Sequence, residues 1–246
     1  MKIATLGLTG LLGLALTSHA ALTGFGTFDP NGTATIAGDT LTLTTTFGQA
    51  GSGFSTVAQP YNLGFTSVFT FLASNEAGGG ADGFTFTLQN APTGSAALGG
   101  GGGGKGYDGI TPSVAIVANN FNGSSLGTGT NGAQGGFVDT LPSGVDFGAP
   151  IPVNFTVTYD PSSVGSEVTV TAAQGAGLYS TTIATGDLTA ILGGTTAFVG
   201  FTAGTGGGAF QHDISNFRFQ EVPEPASMAM LAGGLGMLIG LRRRRS

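Results

Sequence analysis

Apolar side chains return at every second residue through most of this chain, and that spacing excludes most folds at once. Leu41 and Leu43 alternate with threonines in Thr40–Phe47, and Val153, Phe155, Val157 and Tyr159 repeat the pattern. The same alternation, rich in β-branched and aromatic residues, marks 67–72, 83–88, 113–118, 167–172, 179–184, 197–202 and 214–219. Successive side chains on a strand point to opposite faces, so each segment has one apolar face to bury and one polar face to hydrate. Turn residues separate the segments: Asp29-Pro30-Asn31-Gly32, Gly78–Gly80, Asp160-Pro161 and Gly193-Gly194. Between the two ends of the chain only Asp187–Leu192 suggests a helical turn. Roughly ten to thirteen strands in one unit, with uneven loops and no fixed repeat, predict an all-β fold, an antiparallel β-sandwich in preference to a closed barrel.

The ends read differently. Met1-Lys2 is a short positive start, Ile3–Thr17 is apolar, and Ser18-His19-Ala20 is a small-x-small cleavage site. This is the pattern of a secretory signal peptide over 1–20, cut after Ala20. At the other end, Val222-Pro223-Glu224-Pro225 precedes an apolar run, Ala226–Leu241, closed by Arg242, Arg243, Arg244 and Arg245. At about 1.5 Å per residue that run makes a helix of roughly 24 Å, somewhat short of the ~30 Å hydrocarbon core. The arginines hold its far end on the cytoplasmic side. The order of Pro-Glu-Pro, short transmembrane helix and basic end resembles the PEP-CTERM sorting signal of Gram-negative bacteria. That resemblance implies recognition and processing by an exosortase near Pro223, Glu224 and Pro225, after transient anchoring in the inner membrane.

Between these segments, 21–220 forms one domain large enough for a sizeable core. It carries eleven acids against only Lys105 and Arg218, a formal charge of −9. Such a surface repels phosphate backbones, which excludes nucleic acid as a partner. The chain has no cysteine, so disulfides, thiolate metal sites and thiol nucleophiles are excluded together. Glycine supplies 47 of the 246 residues, a bias toward low complexity, but 18 phenylalanines within alternating segments supply a core. The expectation is a folded domain with glycine concentrated in loops. Gly99–Gly104 is the extreme case, six glycines followed by Lys105-Gly106-Tyr107-Asp108-Gly109. It reads either as a flexible insertion or as a loop whose bare backbone approaches a ligand. It lacks the Gly-Lys-Ser/Thr ending of a phosphate loop.

The segment Gly80-Ala81-Asp82-Gly83-Phe84-Thr85-Phe86-Thr87-Leu88, the glycine loop, Ser113–Val117 leading to Phe121, Val199–Ala203 and His212-Asp213-Ile214 together resemble a legume-type (L-type) lectin domain. The resemblance runs from about Phe25 to Phe219 and implies a concanavalin A-like sandwich that binds carbohydrate. It implies that Asp82 accepts from sugar hydroxyls and that Gly104 or Gly106 donates a backbone N–H. A carboxylate accepting from two adjacent hydroxyls is a strong, charge-assisted contact. Asn119 or Asn122 would contact the ligand directly, and Tyr107 or Phe121 would offer an apolar platform. The plain alternative for Asp82 is a turn-capping acid; His212 and Asp213 read as structural.

The family's metal strand carries Glu-x-Asp-x-Phe/Tyr-x-Asn, with an Asp and a His shortly after. Here the run is Val117-Ala118-Asn119-Asn120-Phe121-Asn122-Gly123, and no Asp or His follows until Asp139. Hard cations want several charged oxygens, so no transition-metal site and no resident cofactor are expected, and calcium is the one ion the amides leave open. In the family the metals also support a cis peptide before the sugar-binding aspartate.

Three functions follow from these residues. The first is an exported, sorted protein of the envelope or extracellular matrix that binds exopolysaccharide or another glycan. The second is a structural or adhesive matrix protein whose lectin-like fold has lost sugar and metal binding. The third, a glycoside hydrolase, needs paired carboxylates. Glu76 and Glu167 are the only glutamates of the core and no strand carries an acidic cluster, so the chain reads as no enzyme.

Overall fold

The alternating segments become strands that pair into two sheets, and their apolar faces meet. The computed structural model describes residues 20–222; the expected signal peptide up to its residue 19, the expected C-terminal helix and the Pro223–Arg245 motif residues lie outside them. In chain order the strands are β1 (Leu22–Thr23), β2 (Phe28–Gly32), β3 (Thr35–Ala37), β4 (Thr40–Thr44), β5 (Ala50–Ser55), β6 (Gln59–Pro60), β7 (Phe65–Ala77) and β8 (Gly83–Gln89). They continue as β9 (Ser113–Asn119), β10 (Ser125–Thr130), β11 (Ala133–Asp139), β12 (Val153–Asp160), β13 (Glu167–Gln174), β14 (Gly177–Ala184), β15 (Thr196–Gly204) and β16 (Ala209–Glu221). One short helix, α1 (Leu188–Leu192), follows Asp187, whose side chain caps it by accepting from the Thr189 N–H.

One sheet runs β14-β13-β12-β7-β16-β4-β3, with β1 on the end of β16; the other runs β11-β10-β9-β8-β15-β5-β2, with β6 on β15. Each strand pairing is antiparallel. This is the expected antiparallel sandwich. Between the sheets the core is largely phenylalanine. Phe71 stacks on Phe84 at 4.2 Å between centroids, and Phe69 meets Phe155 at 5.0 Å and Phe201 at 4.9 Å. Each such pair adds about 0.5–1.5 kcal/mol beyond its area burial.

The second sheet is covered on its other face as well, by the chain from Leu98 to Ile110. Tyr107 lies under that cover, fully buried against Ala115 and Val117 of β9. Gly129 in β10 makes room for it, since a Cβ there would stand 2.5 Å from the Tyr107 ring. Glycine is therefore not confined to loops as the composition suggested. It also occupies strand positions where a neighbour presses close, as at Gly51, Gly53 and Gly129.

Candidate functional site

Asp82 stands at the turn into β8, and three main-chain hydrogen bonds tie that turn. The Phe210 N–H donates to the Ala81 carbonyl (3.2 Å), the Asp82 N–H donates to the Gly204 carbonyl (3.0 Å), and the Asn120 N–H donates to the Asp82 carbonyl (3.3 Å). The Ala81–Asp82 peptide bond is cis. Asp82 itself is 8% exposed, and its Oδ2 is buried with no hydrogen-bond partner. Buried polar atoms are nearly always paired, so an orphan carboxylate oxygen marks a position for a donor. Two glycines wall it: a Cβ on Gly206 would stand 3.2 Å from Oδ2, and one on Gly102 3.9 Å.

The glycine run is a packed loop, not a floppy insertion. Gly106 lies at a left-handed φ of 67° and presses on the sheet, where a Cβ would meet the Ala203 carbonyl at 2.8 Å. The Thr202 hydroxyl donates to the Lys105 carbonyl (2.6 Å) and pins the loop from below. Within it the Gly104 N–H donates to Gly101 (3.1 Å) and the Gly106 N–H to Gly100 (2.7 Å). The two donors expected for a ligand are thus spent inside the loop. Gly103 is exposed, with open space where a Cβ would be.

Lys105 supplies the positive charge. Its chain is 4% exposed, its Nζ donates to the Gly103 carbonyl (3.3 Å), and it lies 5.6 Å above the Phe137 ring. Burial pulls its pKa down, while Asp82 and Asp108 hold it up. The Asp82 carboxyl is pushed up by burial and held down by Lys105. Lys105 was not a predicted site residue, although its place at the end of the glycine run was a signal.

Asn119 ends β9, and its amide donates to the Phe121 carbonyl (2.9 Å), leaving its oxygen for another partner. Asn122 sits one residue beyond Phe121 at a left-handed φ of 54° and is exposed, and Phe121 is 46% exposed. Of the two aromatic platforms, Phe121 is accessible and Tyr107 is not. The pattern missed Asn120, whose side chain is buried and donates to His212 Nε2 (3.0 Å). Two-residue spacing carried one step past Ala118 would have found it, because Ile116 and Ala118 face the core.

The family's metals do not fit these residues. Val117 is fully buried in an apolar cluster, and His212 has both ring nitrogens engaged, with Thr44 (2.7 Å) and Asn120. Among the described residues no three His, Cys, Asp or Glu side chains gather closely enough to hold an ion.

Residues 221–245 match the PEP-CTERM protein-sorting motif. This chain carries an exosortase sorting signal. The sandwich is similar to solved legume lectins. The lectin from Bauhinia forficata in complex with GalNAc superposes with a TM-score of 0.69 at 18% identity, over 82% of this chain and 97% of that one. Lectin II from Ulex europaeus gives 0.68 at 18% identity, over 84% and 100%. Arcelin-5, a lectin-like defense protein from Phaseolus vulgaris, gives 0.67 at 18%, over 81% and 96%. The chain therefore joins a PEP-CTERM motif to a legume-lectin-like fold.

Proposed function

We propose that this protein is exported, held briefly in the inner membrane by its C-terminus, released to the cell envelope or matrix by an exosortase, and there binds a glycan. The observation that carries the reading is the orphan Oδ2 of Asp82, an acceptor walled by Gly206 and Gly102 at the turn into β8. Asp82 accepts from adjacent sugar hydroxyls, and Lys105 beside it favours the charged carboxylate. The free oxygen of Asn119 and the exposed amide of Asn122 extend the contact, and Phe121 offers an apolar face to the sugar ring. Gly103 takes the N–H role that the sequence assigned to Gly104 or Gly106. The partners are the secretion machinery, the exosortase and an exopolysaccharide or similar glycan.

The test is a glycan array probed with the full-length chain in detergent. Discrete glycans are expected to bind, with at least tenfold loss in Asp82→Ala. Signal at background for every glycan would sink the reading. It would favour instead a structural matrix role without sugar binding, which the spent N–H groups of Gly104 and Gly106 support.

A further inference from the structure

Without fitting metals, something else has to hold the Asp82 turn, and three buried side chains form a continuous path to it. Thr44 in β4 donates its hydroxyl hydrogen to the Phe210 carbonyl (3.1 Å), so toward His212 Nδ1 (2.7 Å) the same oxygen accepts. A hydroxyl has one hydrogen, and the proton of the imidazole is thereby fixed on Nδ1. Nε2 is then an acceptor, and it takes the Asn120 amide hydrogen at 3.0 Å. Thr44 and His212 are fully buried and Asn120 is 6% exposed, with the Phe71 ring stacked on the imidazole at 5.8 Å. The two residues at the ends of this path are those that grip the turn. Phe210 donates to Ala81, and Asn120 donates to Asp82.

We propose that Thr44, His212 and Asn120 form a metal-free clamp that positions Asp82, so that the site is held in its geometry without any divalent cation. The three act as positioning residues. They join β4, the start of β16 and the residue that follows β9, and none has to touch the ligand. Because each hydrogen bond is buried, deleting one partner leaves another polar group unsatisfied, a loss concentrated at the turn. The purpose assigned to the clamp rests on the glycan reading. Its existence does not.

Hydrogen exchange on the full-length chain separates the two. In the wild type, excess chelator, calcium alone and manganese alone are expected to leave exchange at the Asp82, Asn120 and Phe210 amides unchanged. Asn120→Ala is expected to raise exchange at those amides at least tenfold while the Val157 and Val170 amides of β12 and β13 keep theirs. His212→Gln, whose amide oxygen can take the Nε2 role, is expected to retain protection that His212→Leu loses. Faster exchange in chelator, slower exchange with calcium or manganese, or an Asn120→Ala effect that is absent or spread evenly over the sandwich would each overturn the clamp. Loss of glycan binding in the wild type would leave the exchange result standing and fail only the function.

Discussion

At the scale of single residues, the site is defined by what surrounds one carboxylate. A methyl group added at Gly206 would press to 3.2 Å of Asp82 Oδ2, within the range where a neighbour has to give. Gly206→Ala is therefore expected to weaken glycan binding several-fold on the array while the melting temperature stays near the wild-type value. His212 sets a second expectation. Burial first, and then Lys105, pull its pKa down to about 3. Between the ordinary value of 6.5 and about 3 the unfolded chain binds a proton that the folded chain refuses, so stability falls as pH is lowered through that window and levels off beneath it. The loss approaches about 5 kcal/mol at the acid end. Urea unfolding across this range should show it, and His212→Gln should flatten the slope; equal slopes would contradict a neutral buried ring. Asp82 was legible from its motif, because Ala-Asp-Gly before an aromatic strand is a local string. The environment of that aspartate was not, since Gly206, Asn120 and His212 reach it only through the tertiary fold.

Among the elements, legibility followed side-chain chemistry. Val153, Phe155, Val157 and Tyr159 announced β12, because large residues at every second position leave no other efficient burial. β5, Ala-Gly-Ser-Gly-Phe-Ser, and β10, Ser-Leu-Gly-Thr-Gly-Thr, gave no such signal. Their glycines stand where a neighbouring strand or layer comes too near for a side chain, a requirement invisible along the sequence. The phenylalanine core makes the opposite kind of element contact. Phe69 of β7 meets Phe84, Phe86, Phe155 and Phe201, drawn from three other strands. Phe69→Ala is expected to cost about 3–5 kcal/mol in denaturant unfolding. The loop over the second sheet is more fragile to added bulk than to deletion. Gly106→Val combines a left-handed φ with a carbonyl 2.8 Å from the new Cβ. It should lift the loop and expose Tyr107, which increased quenching of tyrosine fluorescence by acrylamide would report.

For the whole molecule, the sorting motif and the sandwich occupy separate parts of the chain. The sorting motif occupies 221–245, and the described sandwich is complete without residues beyond Val222. Deleting Pro223–Ser246 is expected to leave the sandwich folded and to shift the protein from its envelope fraction, followed by cell fractionation and circular dichroism. An unchanged distribution would contradict the sorting role. The class of fold was readable because alternation and the absence of cysteine left few ways to bury so much apolar surface.

β16 links these two parts within one strand. It starts beside the Asp82 turn, where Phe210 grips Ala81, and it finishes at Glu221, where the sorting motif begins. At roughly 3.3 Å per residue its thirteen residues span about 40 Å. The Asp82 turn and Glu221 thus lie beside opposite ends of one strand. A pull at Glu221 meets a strand paired with β7 along its length, with β1 beside its last residues and β4 beside its first, so the load reaches the Asp82 turn only after those pairings.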